Sequence, residues 1–386
     1  MKKETVTTNQ ITEGVIWKQL LLFFFPIVLG TFFQQLYNTA DTIVVGRFVS
    51  KEALAAVGGS AAQIVGLIVG FFVGLASGAS VIISQFYGAK NRVQLNRALH
   101  TAYAFSIIGS IFITALGILI APWLLELMHT PQETMADALL YLRIYFAGII
   151  FVFIYNVGSS ILRAMGDSRR PLYYLVVCCI LNIVLDIVLV IVFHMGVAGV
   201  SIATIFSQGV SAVLITRALM RSDDLYQLEF RKIRFHKAAL FSLLWMGCPT
   251  GIQSVLYSVT NMLIQTFLNN LGTDTVAAWS AFGKIDSFYW MVNNAFGIAV
   301  TTFVGQNFGA GKMDRVRKGT RECLGMALVT AILLSVILMS AGIFLFGIFT
   351  TDANVVEIGL SMMQIISPTY FLFVFIEVYS GALRAQ

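Results

Sequence analysis

Asp41, Asn182, Asp186 and Thr204 are the residues of this 386-residue chain best suited to chemistry. Each stands inside a long apolar stretch, where a carboxylate is costly enough to imply a function. Asn182 and Asp186 are four positions apart and share one helix face. At 1.5 Å per residue, Asp41 lies roughly 7 Å, Asp186 roughly 12 Å and Thr204 roughly 10 Å inside the ends of their apolar runs. Two carboxylates, an amide oxygen and a hydroxyl would suit sodium, a hard cation that takes oxygen ligands. They would equally suit a proton shared between two carboxylates in an apolar pocket. Interhelical hydrogen bonding without transport is the plainer reading of Asn182 and Asp186. The four can meet only if the first, fifth and sixth apolar runs pack together.

Other polar residues in apolar runs are secondary candidates. They are Gln34, Tyr37 and Asn38, upstream of Asp41, with Gln253, Lys284, Asp286 and Glu377. Lys284 and Asp286 are two apart, so on a helix they point different ways and pair elsewhere. Arg143 is expected to pair with Asp137 or Glu126, or to snorkel.

The elements that must position these residues are membrane spans. The chain is 58% hydrophobic and 11% charged, with a mean hydropathy of +0.83, which sets it apart from soluble domains. Apolar runs long enough for a hydrocarbon core of about 30 Å recur throughout. They place spans at 18–45, 53–83, 98–121, 134–160, 172–194, 197–220, 239–269, 275–304, 319–347 and 356–383. No period-2 alternation supports a β-barrel. With the N-terminus inside, the cytoplasmic segments collect Lys2, Lys3, Lys90, Arg163, Arg169, Arg170, the Arg217–Lys237 stretch, Arg315 and Arg384. The outer loops keep Arg47 and Lys51. This asymmetry supports an even span count and a multi-pass cell-membrane protein with a cytoplasmic N-terminus. The net charge of +6 is then a topology signal, and no nucleic-acid partner is expected.

The polar start, Met1 to Gln10, carries no small-residue cleavage site, so no removable signal peptide is expected. Cys178, Cys179, Cys248 and Cys323 lack metal-ligand spacing, and neither disulfides nor zinc are expected. His100, His129, His194 and His236 are scattered near span ends, and no zinc or nucleophile motif accompanies them. An enzyme is therefore not expected, and no cofactor is implied beyond the coupling ion.

The chain repeats itself. Pro26 answers to Pro249 at a shift of 223 residues. Ser84–Ala89 matches Gly305–Ala310, and Ser160–Ala164 matches Gly381–Ala385, at a shift of 221. Six spans separate equivalent points, so the halves are parallel, a standard transporter design. Two helical bundles follow: 1–220, a linker at 221–238 that is either interfacial or solvated, and 239–386. The second bundle holds four spans against six, which suggests a truncated product of a twelve-span architecture, with a natural ten-span protein as the plainer alternative. Gly66, Gly70, Gly74 and Gly78 form a stripe for close helix approach. Pro26 and Pro249 should kink their helices. With 31 Phe, 13 Tyr and 14 Met, aromatic faces and pliable thioethers are available to a pocket for lipophilic cations.

The segments Tyr37-Asn38-Thr39-Ala40-Asp41-Thr42 and Ala53-Leu54-Ala55-Ala56-Val57-Gly58 resemble the first span and loop of the MATE (multidrug and toxic compound extrusion) family. Leu162-Arg163-Ala164-Met165-Gly166-Asp167 and its echo Leu383-Arg384-Ala385 are similar to that family too. The resemblance implies an all-α polytopic protein of two six-helix lobes that exchanges organic cations or drugs for sodium or protons. It implies that Asp41, Asn182, Asp186 and Thr204 match the N-lobe cation site of one bacterial and archaeal branch. Other members place acids in spans seven and ten; here span seven offers Gln253 and span ten offers Glu377. A monomer in a lipid bilayer, exporting small amphipathic cations, is expected. A lipid-linked precursor flippase of related fold is the alternative, but it would want buried bases, and only Lys284 and Arg143 are available.

Overall fold

The computed structural model describes residues 10–222, 226–350 and 352–386. Among the described residues the structure is helical, without strands. Twelve α-helices follow in order: α1 Ile16–Phe48, α2 Lys51–Gly58, α3 Ser60–Gly88, α4 Arg92–Leu127, α5 Gln132–Ala164 and α6 Arg169–Asp186. Then come α7 Gly196–Met220, α8 Lys237–Asn269, α9 Thr273–Gly309, α10 Met313–Gly347, α11 Ala353–Ile366 and α12 Tyr370–Arg384. Helices are required because lipid offers no partner for free backbone groups.

These helices account for the ten expected spans. α2 and α3 form one span broken at Gly59, and α11 and α12 form another, broken at a 3-10 turn, Ser367–Thr369. Nine spans among the described residues are long and apolar enough to cross a membrane by composition. The remaining helix, α9, is diluted by Lys284, Asp286, Asn293 and Asn307. Side-chain caps mark the starts of several helices. Ser50 accepts the Ala53 N–H at 3.0 Å, Asn91 accepts that of Gln94 at 3.1 Å, and Asp352 accepts that of Asn354 at 2.9 Å.

Contacts divide the chain into two compact units, and the division cuts across the sequence repeat. One unit is Leu29–Val255; the other joins the chain up to Val28 with Leu256–Gln386. The sequence boundaries at 220 and 238 follow the linker, whereas the contacts change hands inside α1 and α8. Both are unbroken 33-residue helices, about 50 Å long, so each contributes its first part to one unit and its last to the other.

In the unit Leu29–Val255, α5 packs against α3, α4 and α7. Phe146, Leu142, Leu125 and Ile149 form one apolar core and Tyr103, Leu99, Ile161 and Leu162 another. The Phe72 and Phe153 rings stack at 4.3 Å. The linker is partly docked: Tyr226 and Leu228 are buried in the second core. Arg143 is exposed and forms no ion pair with Asp137 or Glu126 among the described residues, so the expected pairing is replaced by an outward-facing guanidinium. All four cysteines are free. The other unit is built around α9, with Phe24 stacked on Phe296 at 4.2 Å and Tyr289 donating to the Tyr370 carbonyl at 2.7 Å.

The glycine stripe is used at two of its four positions. A Cβ on Gly74 would lie 2.6 Å from the Gly251 Cα, and one on Gly78 would lie 2.5 Å from the Gly247 nitrogen. Gly66 has nothing within 4 Å. Here α3 and α8 touch backbone to backbone. Gly78→Ala should therefore cost about 1–3 kcal/mol and lower the melting temperature in detergent, while Gly66→Ala should leave it unchanged or higher.

Candidate functional site

Three helices bring the four sequence-derived residues together in the unit Leu29–Val255. Asp41 comes from α1, Asn182 and Asp186 from the last turns of α6, and Thr204 from the third turn of α7. α6 and α7 pack directly on one another. Asp41 is 8% exposed, Thr204 5%, and Asn182 and Asp186 0%. The Thr204 hydroxyl lies 3.2 Å from Asp41 Oδ2 and donates either there or to the Val200 carbonyl at 3.0 Å. Asn182 and Asp186 are immediate neighbours of the Asp41 carboxyl.

Proximity does not amount to hydrogen bonding. Asp41 Oδ1, both Asp186 oxygens and both amide atoms of Asn182 are buried without a protein hydrogen-bond partner. Native interiors rarely leave such groups unpaired, so each asks for a reason. No ion pair among the described residues reaches Asp41 or Asp186; the pairs that form are Lys51–Glu52, Arg170–Asp167, Lys232–Glu229 and Lys318–Glu322.

The surroundings close the site at one end. One turn beyond it on all three helices, Val44, Val45, Val190 and Val200 pack with Ala53, Val57 and Val197 into an apolar plug. On α6 the backbone passes directly from Asp186 into a π-helical segment, Ile187–Val192, a form rare enough to be found mostly at functional positions. Polar aromatics also border the cluster, and one of them, Tyr141, packs against the valine plug as well. Gln208 donates to the Tyr37 hydroxyl at 3.4 Å. Tyr141 and Tyr145 stack at 6.0 Å, close enough to Asp41 to interact with its charge.

The secondary candidates separate. Tyr37 is buried beside the cluster, whereas Gln34, Asn38 and Gln253 are exposed. Lys284, Asp286 and Glu377 belong to the other unit. There Asp286 accepts from Trp290 Nε1 at 2.8 Å and from the Tyr370 hydroxyl, without pairing to exposed Lys284. The Glu377 carboxylate lies against Gly297. Sequence reasoning missed Tyr141, Tyr145 and Gln208. Gln208 follows Thr204 by four residues, and the two tyrosines are four apart on α5, so helical spacing was the available signal.

A family model for MatE matches residues 26–188 and again 249–386. The chain belongs to the MatE family. The two matched stretches are the repeat seen in the sequence. Among relatives, the "Probable multidrug resistance protein YpnP" of Bacillus subtilis (strain 168) is 32% identical over 97% of this chain and 83% of its own length. The "Probable multidrug resistance protein YoeA" of the same organism is 27% identical over 100% of this chain and 84% of its own. Among solved structures, the outward-facing conformation of a multidrug resistance MATE family transporter of the MOP superfamily superposes with a TM-score of 0.92. It shares 23% identity, covering 99% of this chain and 85% of that one. MatE membership makes this chain a multi-pass membrane transporter, and no enzyme.

A cation-binding site predicts ion-dependent stability. If sodium or a proton occupies this cluster, raising its concentration to about 100 times the dissociation constant should stabilise the protein by about 2.7 kcal/mol. Melting curves in sodium against choline, and at falling pH, should reveal that shift. Asp186→Asn should abolish it, and Thr204→Val should weaken it.

Proposed function

We propose that this MatE transporter exports amphipathic organic cations in exchange for sodium or protons bound at Asp41, Asn182, Asp186 and Thr204. The observation that carries the reading is charge without a counter-charge. Two carboxyls meet in an apolar interior, no basic side chain pairs with either, and four oxygens of the cluster have no hydrogen-bond partner. A bound cation supplies both the missing charge and the missing contacts. The names of YpnP and YoeA, which describe multidrug resistance, support a drug-like cargo. Nothing in the comparisons favours the flippase alternative.

The cycle follows from differential binding. An inward-directed ion gradient loads the carboxyl pair from outside. Loading neutralises the pair and, through the α1–α6–α7 contact, disfavours the conformation that holds cargo on the outward side. Each elementary charge moved down a 100 mV potential contributes about 2.3 kcal/mol. The positive-inside pattern supports a cytoplasmic N-terminus in a cell membrane, and one copy of the chain contains the whole cluster, which supports a monomer as the working unit.

Equilibrium binding of a fluorescent organic cation such as ethidium to purified protein tests this reading. Sodium or acid should displace the dye from the wild type and leave it bound to Asp41→Asn. Displacement unchanged in the variant would remove Asp41 from the coupling.

A further inference from the structure

The segment leading into α8 is held by two histidines, and each is held in a single neutral form. His100, on α4, is 2% exposed. Its Nδ1 lies 2.6 Å from the Asn96 carbonyl, which can only accept. Its Nε2 receives the backbone N–H of Glu229 at 3.1 Å, which can only donate. These two bonds require an imidazole with a proton on Nδ1 and a bare Nε2. His236, at the far end of the segment, is held differently: its Nε2 accepts from Arg234 Nε within the segment at 3.3 Å, its Nδ1 lies 3.4 Å from Thr101 Oγ1 on α4, and its backbone N–H donates to that hydroxyl at 3.2 Å.

We propose that residues 226–236 are a strap docked on α4 by neutral histidines, and that protonation of His100 releases it. An imidazolium has no lone pair at Nε2 for the Glu229 N–H, and burial leaves no water to take its place. The charged groups around the pair add to this effect. Arg97 from α4 and Arg234 from the strap face His236, and the two histidines face each other. Glu229 turns its carboxylate to Lys232, at 2.6 Å. Desolvation first, and then Arg234, Arg97 and His100, hold the His236 imidazole below its ordinary range. The sign follows from the geometry: the Glu229 N–H needs a bare Nε2, so docking is complete with a neutral ring and weakens as pH falls.

The strap restrains the start of α8, the helix whose glycines lie on α3. Its remaining contacts, which do not titrate in this range, include Leu228 N–H to the Leu219 carbonyl at 3.1 Å, Gln227 to the Met220 carbonyl at 2.9 Å and the burial of Tyr226 and Leu228 in the second core. The other unit has a comparable segment before α1, and it is tied differently. Arg315 donates to the Gly14 carbonyl at 2.9 Å and to that of Ile11 at 3.2 Å, and Lys312 donates to that of Thr12 at 2.8 Å. Guanidinium and ammonium groups keep their protons across the neutral range. Residues 11–14 are thus a built-in reference that acid leaves docked.

Amide hydrogen exchange on the full chain in detergent tests the strap. Protection of 226–236 is compared at about pH 7.5 and about pH 5.5, one unit either side of free histidine, after correction for intrinsic exchange. In the wild type, protection should fall about tenfold in 226–236 while 11–14 stays constant. In His100→Gln, whose amide oxygen accepts the same N–H and gains no proton, the fall should disappear. An equal fall in the variant, no fall in the wild type, or a parallel fall in 11–14 would each overturn the proposal. If His100→Gln does not fold, the contrast between the two wild-type segments decides the matter.

Discussion

Two carboxyls that face one another without a base control the design of the unit Leu29–Val255. In an apolar interior, a charge needs a partner at close range or it is strongly disfavoured. Asp41 and Asp186 receive from the protein one long hydroxyl contact, from Thr204, and no counter-charge. On the reading proposed above, a bound cation completes the arrangement, and its occupancy is the quantity that an ion gradient would set. The valine plug and the tyrosines beside the cluster fit this reading: the valines are apolar, and the tyrosines offer polar tips without adding charge.

On the reading proposed above, the two long helices shared between the units are what would turn occupancy into motion. α1 carries Asp41 and also reaches the other unit with its first residues, and α8 does the same in the repeat. A long helix shared in this way transmits a local rearrangement without needing a flexible joint. Pro26 and Pro249 remove one backbone hydrogen bond each within these helices and so lower the cost of bending. Gly74 and Gly78 let α8 approach α3 backbone to backbone, with the Phe71 ring packed beside Gly251. Segments tied by arginine before α1 and by histidine before α8 then set how freely each helix can begin to move.

Much of this was legible in the sequence, and the failures have physical causes. Apolar run length located the ten long helical stretches among the described residues, nine of them apolar enough to span by composition, because a bilayer imposes a length that a soluble core does not. The four site residues stood out because polar groups are rare at such depth. The exchange of contacts inside α1 and α8 was invisible, since an unbroken helix carries no boundary in its sequence. Of the two readings of Arg143, pairing and snorkelling, the exposed side chain fits the second: a long side chain reaches polar surroundings more cheaply than it finds a carboxylate. The π-helical segment after Asp186 left no mark, as Ile187–Val192 is a plain aliphatic run. Tyr141 and Tyr145 were overlooked among many aromatics, and only the packing of α5 against α7 gives them a role.

The most direct test of the central claim is an infrared difference spectrum of the purified protein, recorded between sodium and choline and between neutral and acid pH. Carboxyl bands report the binding groups themselves, independent of cargo. The account predicts cation-induced carboxyl bands in the wild type that disappear in both Asp41→Asn and Asp186→Asn. Bands that persist unchanged in both variants would place the cation elsewhere and contradict it.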